Sequence, residues 1–149
     1  MTGHPTLTGP PLTGPFLGVS AIVVRDGAVL LGRRRGAHGA GTFAFPGGKP
    51  DPGEHPFDAV RRELLEETGL AARAISPVAW TSDVFTDDHL HFVTLHHLVD
   101  ADGEPEVREP AKVEGWGWYR WDAPPEPLFV PAAALRATGW RPAQTKRPR

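Results

Sequence analysis

The 149-residue chain has no cysteine, which excludes disulfides, thiolate catalysis and zinc–thiolate centres. That absence is compatible with a reducing cytosol. No stretch of about 18 consecutive apolar residues occurs, and the first residues lack the charged-then-apolar pattern of a secretory leader. A cytoplasmic protein without a membrane-spanning helix is therefore expected. Charge of one sign is also scarce: the net formal charge is −2, which argues against a protein built to coat a nucleic acid polymer. What is present is enough chain for about one domain. It is 40% hydrophobic, with five Trp and seven Phe to supply a core.

Residues 1–15 are rich in Pro, Gly and Thr, with Leu-Thr-Gly-Pro at Leu7 to Pro10 and again at Leu12 to Pro15. So little apolar surface predicts a flexible tail. Phe16 to Val24 reads as a buried strand, and Ala28 to Arg33 as its hairpin partner across the turn at Arg25-Asp26-Gly27, since Asp-Gly suits a tight turn. A glycine-rich loop at 36–41 leads to a short strand at Phe43-Ala44-Phe45. Two extended segments follow, roughly Val78 to Thr86 and His89 to Val99, joined at Asp87-Asp88. Gly115 to Trp121 alternates as a further strand, and Ala132 to Thr138 reads as a short helix stopped by Gly139. The expected domain covers 16–140, with a basic tail at 141–149. Strands interleaved with two helices predict an α+β fold, an α/β sandwich.

The densest chemistry lies in the 23 residues from Gly48 to Leu70. Glu63, Glu66 and Glu67 stand at i, i+3 and i+4 of a predicted helix, beside the apolar stripe of Phe57, Val60 and Leu64. The three carboxylates share about a 100° arc, where like charges repel by a few tenths of a kcal/mol per pair. A hard divalent cation reverses that penalty, because Mg²⁺ and Mn²⁺ prefer carboxylate oxygens. A solvated charged face, with Arg62 balancing Glu66, is the other reading of the same residues. The segment runs Gly-x5-Glu-x7-Arg-Glu-Leu-x-Glu-Glu-x-Gly-Leu.

At every fixed position this run resembles the Nudix box of the Nudix hydrolases. Further similarity follows at Leu30 to Gly36, Gly39 to Gly48, His91 to Thr94, Glu109-Pro110-x-Lys112, Glu114-Gly115-Trp116-x-Trp118 and Leu128-Phe129. Those flanking stretches are most like the nucleoside-triphosphate diphosphatase and plant Nudix type 1 subgroup, and the likeness spans about residues 17–140. It implies the Nudix fold, a mixed sheet between helices with the box as loop-helix-loop. It also implies metal ligation by Glu63, Glu66 and Glu67, with Glu63 a candidate general base oriented by Arg62. Gly47 would offer its carbonyl to Mg²⁺ or Mn²⁺. Glu54 closes the loop, contacts a distal metal or caps the helix. Gly48 and Gly69 are structural. Glu114, with Glu109 as competitor, would bring a carboxylate from outside the box.

The same likeness implies a nucleotide pocket: Arg34 for phosphate, and Phe45, Thr94 and Phe129 for the base. Phe45 and Phe129 also fit a core role. The four later histidines, His89, His91, His96 and His97, read as packed or surface imidazoles, and Trp116, Trp118 and Trp121 as core and subunit-contact residues. Lys49 and Val130-Pro131 depart from the subgroup's pattern, which leaves the base open. The implied activity is metal-dependent hydrolysis of a nucleoside triphosphate, oxidised or modified ones included, to monophosphate and pyrophosphate by a homodimer. ADP-ribose, a prenyl diphosphate, or a silent nucleotide-binding module stand as alternatives.

Overall fold

The structure is a computed structural model that describes residues 9–36 and 38–143. The expected tails thus fall largely outside the described residues. The elements run β1 Thr13–Arg25, β2 Ala28–Arg34, β3 Phe43–Ala44, β4 Gly47–Gly48, α1 Pro56–Thr68, β5 Ala72–Phe85, β6 Leu90–Ala101, β7 Val113–Arg120 and α2 Val130–Ala137. β1 begins at Thr13, ahead of the expected Phe16, with a register shift between Thr13 and Phe16 where it joins β6. β5 starts at Ala72 because its first residues pair with the end of β6, Ala72 opposite Ala101. That pairing is long-range, and local alternation does not carry it.

The seven strands form a mixed sheet along the path β3-β2-β1-β6-β5, with β4 added to β1 and β7 to β2. β1 organises it. Residues 16 to 23 run parallel to β6, from Phe16 opposite Phe92 to Val23 opposite Val99. The far end turns back on β2 through Asp26 and Gly27, both at positive φ, the conformation that a tight hairpin requires.

Strand alternation divides the core into two layers. Val19, Ala21 and Val23 of β1, with Leu30, pack against Ala59, Val60 and Leu64 of α1. Ile22, Val29 and Leu31 face the other way, onto Phe45, Trp121 and the α2 residues Ala132 and Leu135. The result is the expected sandwich. α1 begins where the His55 Nδ1 accepts from the Phe57 amide at 3.0 Å and Pro56 occupies the first turn. It ends at Gly69, φ 79°, whose amide donates to the Leu65 carbonyl, the left-handed cap glycine adopts most readily. α2 starts at Val130, two residues before the expected Ala132, with Pro131 in the first turn, where its missing N–H leaves nothing unpaired.

Candidate functional site

The box helix presents its carboxylates toward β4. The Gly47 amide donates to Glu67 Oε2 at 2.8 Å, and a Cβ on Gly48 would lie 2.4 Å from Glu63 Oε1. A Cβ on Gly47 would stand 2.2 Å from the Val19 carbonyl oxygen. Both glycines are therefore demanded by close approach of backbone and carboxylate. The contact seen at Gly47 is its amide on Glu67, whereas the family likeness implies a carbonyl offered to a cation.

Arg62 is the hub of this end. Its Nε and Nη2 grip Glu54 at 2.9 and 2.8 Å, Nη1 donates to Glu63 Oε1 at 3.0 Å, and Nη2 donates to the Lys49 carbonyl at 3.1 Å. Glu66 is a more distant partner at 3.4 Å. Glu54 also accepts from the Asp51 amide at 3.0 Å. It therefore closes the loop before α1, and the capping residue is His55. The Arg62 fork holds the Glu54 carboxyl down at about 2, and the same guanidinium reaches Glu63 from a position fixed by Glu54.

Glu67 behaves differently. Burial pushes its carboxyl up to about 8, against the pull of the Gly47 amide, and the charges of Glu63 and Glu109 push the same way. Burial also raises Glu63, while Arg62 draws it down. The carboxylate from outside the box that shares this field is Glu109. Its Oε2 meets Lys112 Nζ at 3.2 Å, and its Oε1 is buried without a hydrogen bond among the described residues. Glu114 is instead paired with Arg33 at 3.3 Å and Arg35 at 3.8 Å. On β7 the salt bridges to Arg33 of β2 and to Arg35 just beyond it hold Glu114, whereas Glu109 lies on the irregular loop that precedes the strand.

Do these residues fit a divalent cation? Among the described residues no three His, Asp or Glu side chains are placed so that they could together hold a metal ion; Glu63 is engaged by Arg62 and Glu67 by the Gly47 amide. The donor chemistry nevertheless fits. A carboxyl raised to about 8 by burial and, after it, by the charges of Glu63 and Glu109, beside an orphaned buried carboxylate oxygen, is compatible with a cluster short of positive charge. Glu63, Glu67 and Glu109, with Glu66 at the rim, are the groups that would hold such an ion.

Beside them opens a cleft of about 160 Å³, the size class that accepts an aromatic ring. Gly47, Gly48 and Lys49 line it, so it begins where the carboxylate end stops. Arg34, Phe45, Thr94 and Phe129 all line it too, which brings the four predicted pocket residues together. Arg34 lies flat over Phe129, 4.1 Å from the ring centre, with Nε donating to the His38 carbonyl at 3.0 Å. Burial lowers its pKa while the Glu67 charge raises it, so Arg34 senses both ends of the site. Phe129 is anchored through its backbone amide, which donates to the Phe43 carbonyl at 2.8 Å. Gly39 permits the stack, since a Cβ there would come within 2.7 Å of the Phe129 ring. Phe45 has both roles, lining the cleft and packing on Trp121.

Sequence reasoning missed Ser20, His38, Phe85 and Phe92, which complete the cleft. His38 packs against Phe85 with ring centres 4.2 Å apart and the planes tilted by 56°, and meets Phe129 edge-on at 5.6 Å, and its Nδ1 lies 2.9 Å from Asp88. Lys49 sits 5.1 Å from the Phe16 ring and 5.5 Å from Phe92. The available signal was the hairpin tip: Phe85 and Phe92 flank the Asp87-Asp88 turn. His96 and His97 are buried packing groups, as expected, and Trp121 belongs to the core while Trp116 and Trp118 pack against it.

A layered sandwich with a glutamate helix at one end of an aromatic cleft defines a class, and comparison with known proteins names it. A family model for the NUDIX domain matches residues 14–137. The crystal structure of a MutT NUDIX hydrolase from Burkholderia pseudomallei superposes with a TM-score of 0.77 at 36% identity, covering 83% of this chain and 98% of that one. The CTP pyrophosphohydrolase of Escherichia coli (strain K12) is 34% identical over 77% of this chain and 81% of its own length. The ADP-ribose pyrophosphatase of Methanocaldococcus jannaschii is 33% identical over 66% of this chain, which spans only 59% of that protein. The chain belongs to the NUDIX family, with the fold of its MutT-like members.

Proposed function

We propose that this protein is a metal-dependent Nudix pyrophosphohydrolase that cleaves a nucleoside triphosphate to the monophosphate and pyrophosphate. The observation that carries the reading is the continuity of the two ends: Gly47 and Gly48 touch Glu67 and Glu63 on one side and line the aromatic cleft on the other. A base held in the cleft leaves its phosphates pointing along β4 toward the carboxylates. A bound Mg²⁺ or Mn²⁺ would neutralise the anhydride and lower the pKa of water there. The chain's own residues supply position and charge. Arg34 meets phosphate, Arg62 fixes Glu63 within reach of water, and Glu63 is the candidate base. Phe129, braced by Arg34, stacks the base, with Phe45 forming the far wall and the Thr94 hydroxyl meeting its edge.

ADP-ribose is the second reading, because the archaeal relative carries that name. Within the first reading the enzyme is a homodimer, for which Trp80, 67% exposed on the edge strand β5, offers an apolar contact. The test is a panel of nucleoside triphosphates, ADP-ribose and a prenyl diphosphate in Mg²⁺ and in Mn²⁺, with the phosphate products identified. Monophosphate plus pyrophosphate from a nucleoside triphosphate is the expected result. Preferential cleavage of the diphosphate that lacks a base would move the assignment away from nucleotides.

A further inference from the structure

Beneath the cleft lies a buried chain of polar groups that the proposed chemistry does not use. Ser20 Oγ stands 2.7 Å from His96 Nδ1. His96 Nε2 stands 2.9 Å from Thr81 Oγ1, and Thr81 Oγ1 donates to Asp83 Oδ2 at 2.9 Å. All four residues are buried, Asp83 and His96 at 1% exposure each. Ser20 reaches the cleft at one end, and Phe45 lies edge-on to the His96 ring.

The direction of the protons follows from the inventory of donors. Thr81 Oγ1 donates to Asp83 Oδ2, which spends its single hydroxyl proton there. Thr81 must then accept from His96, which places the ring proton on Nε2. A neutral imidazole carries one proton, and burial keeps His96 neutral by pushing its pKa down to about 4. Nδ1 is therefore bare and takes the Ser20 hydroxyl proton. What Ser20 has left to show the cleft is a lone pair. Burial pushes the Asp83 carboxyl up, while the side chains of Thr94, which also lines the cleft, and Thr81 draw it back, and among the described residues no hydrogen bond reaches Asp83 Oδ1.

We propose that the relay Asp83–Thr81–His96–Ser20 fixes the cleft floor as a hydrogen-bond acceptor and so selects bases that present an exocyclic amine over those that present a carbonyl at the same ring position. Asp83, Thr81 and His96 are positioning residues, and Ser20 is the group that meets the base. The inference rests on the nucleotide reading above and adds the base class to it: cytosine over uracil, adenine over hypoxanthine. A carbonyl facing a buried acceptor leaves both unpaired, a mismatch that lowers kcat/KM by about ten- to hundredfold.

The test compares CTP with UTP and ATP with ITP in Mg²⁺ for wild type, Thr81→Val and Thr81→Ser, alongside the ¹⁵N spectrum of His96. Wild type should favour the amino base in each pair, with His96 protonated on Nε2. Thr81→Val removes the group that fixes the tautomer, so both preferences should collapse toward unity, and Thr81→Ser should restore them. A proton on Nδ1 in wild type, a preference for the oxo bases, or unchanged ratios in a folded Thr81→Val protein would each overturn the relay. Failure to hydrolyse any of the four nucleotides, with the Nε2 tautomer intact, would remove the nucleotide reading and the base selection resting on it, while the proton direction stood.

Discussion

Glu67 is the residue on which the account turns, because three opposing influences meet there. Burial and the charges of Glu63 and Glu109 raise its pKa to about 8, while the Gly47 amide lowers it. Unfolded, a glutamate titrates near 4.3. The native state therefore binds an extra proton in the window between, and metal-free stability should fall as pH rises from about 4.5 toward 8. Glu67→Gln should flatten that slope, and urea midpoints at pH 5 and pH 8 read it directly. Metal must displace the same proton, so apparent metal affinity should climb through the same window. Since the substitution also relieves repulsion, stability at pH 8 should hold or rise. At the base end, Phe129→Ala should mainly raise KM for nucleotides, by roughly five- to 150-fold, because stacking contributes about 1 to 3 kcal/mol per base. An equal loss on a diphosphate without a base would make Phe129 a packing residue. Glu54 shows how far a single residue can be read from sequence. Its place in the motif was plain, but its grip on Arg62 required the loop and helix to meet in space.

At the scale of elements, α1 was the most legible, since its acidic face, apolar stripe and glycine stop are all local signals. Its C-terminal cap is testable. Gly69 has φ 79° and a Cβ there would lie 2.8 Å from Arg108 Nε, so Gly69→Ala should cost about 1 kcal/mol or more in a denaturant melt while sparing kcat. Gly48→Ala should do the reverse. Its Cβ would strike Glu63, and displacement of a reacting group by about 1 Å costs on the order of a hundredfold in rate. A kcat close to wild type in folded Gly48→Ala would show that Glu63 is not held as described. β4 was not legible, because a two-residue glycine strand has no periodicity to display. The β1–β2 hairpin was, through Asp-Gly. The start of β5 was hidden for another reason: its pairing partner lies at the end of β6, and single-sequence alternation carries no information about partners at that separation. Glu114 was named ahead of Glu109 on family likeness, and the pairing of β7 with β2 that brings Glu114 to Arg33 and Arg35 carries no local signal in the sequence.

Over the whole molecule, the mixed sheet serves as a ruler that sets the carboxylate helix and the aromatic cleft side by side on opposite flanks of β4. The sandwich class followed from the order of strands and helices, and the cluster of Arg34, Phe45, Thr94 and Phe129 followed from family likeness. Ser20, His38, Phe85 and Phe92 did not, because a cleft is assembled from distant strands and each residue alone reads as core. An ion bound only by the native fold should raise the melting temperature, with stabilisation growing as RT ln(1 + [ion]/Kd), so millimolar Mg²⁺ or Mn²⁺ should stabilise wild type and do so less in Glu67→Gln. The central claim, that the glutamate face is a metal-dependent centre acting on a phosphoanhydride, is tested most directly by the products formed from a nucleoside triphosphate in wild type and in Glu67→Gln, each with and without Mg²⁺ or Mn²⁺. The account predicts monophosphate and pyrophosphate from wild type only when metal is present, and a loss of about a hundredfold or more in the variant. Metal-independent cleavage, or full activity in folded Glu67→Gln, would contradict it.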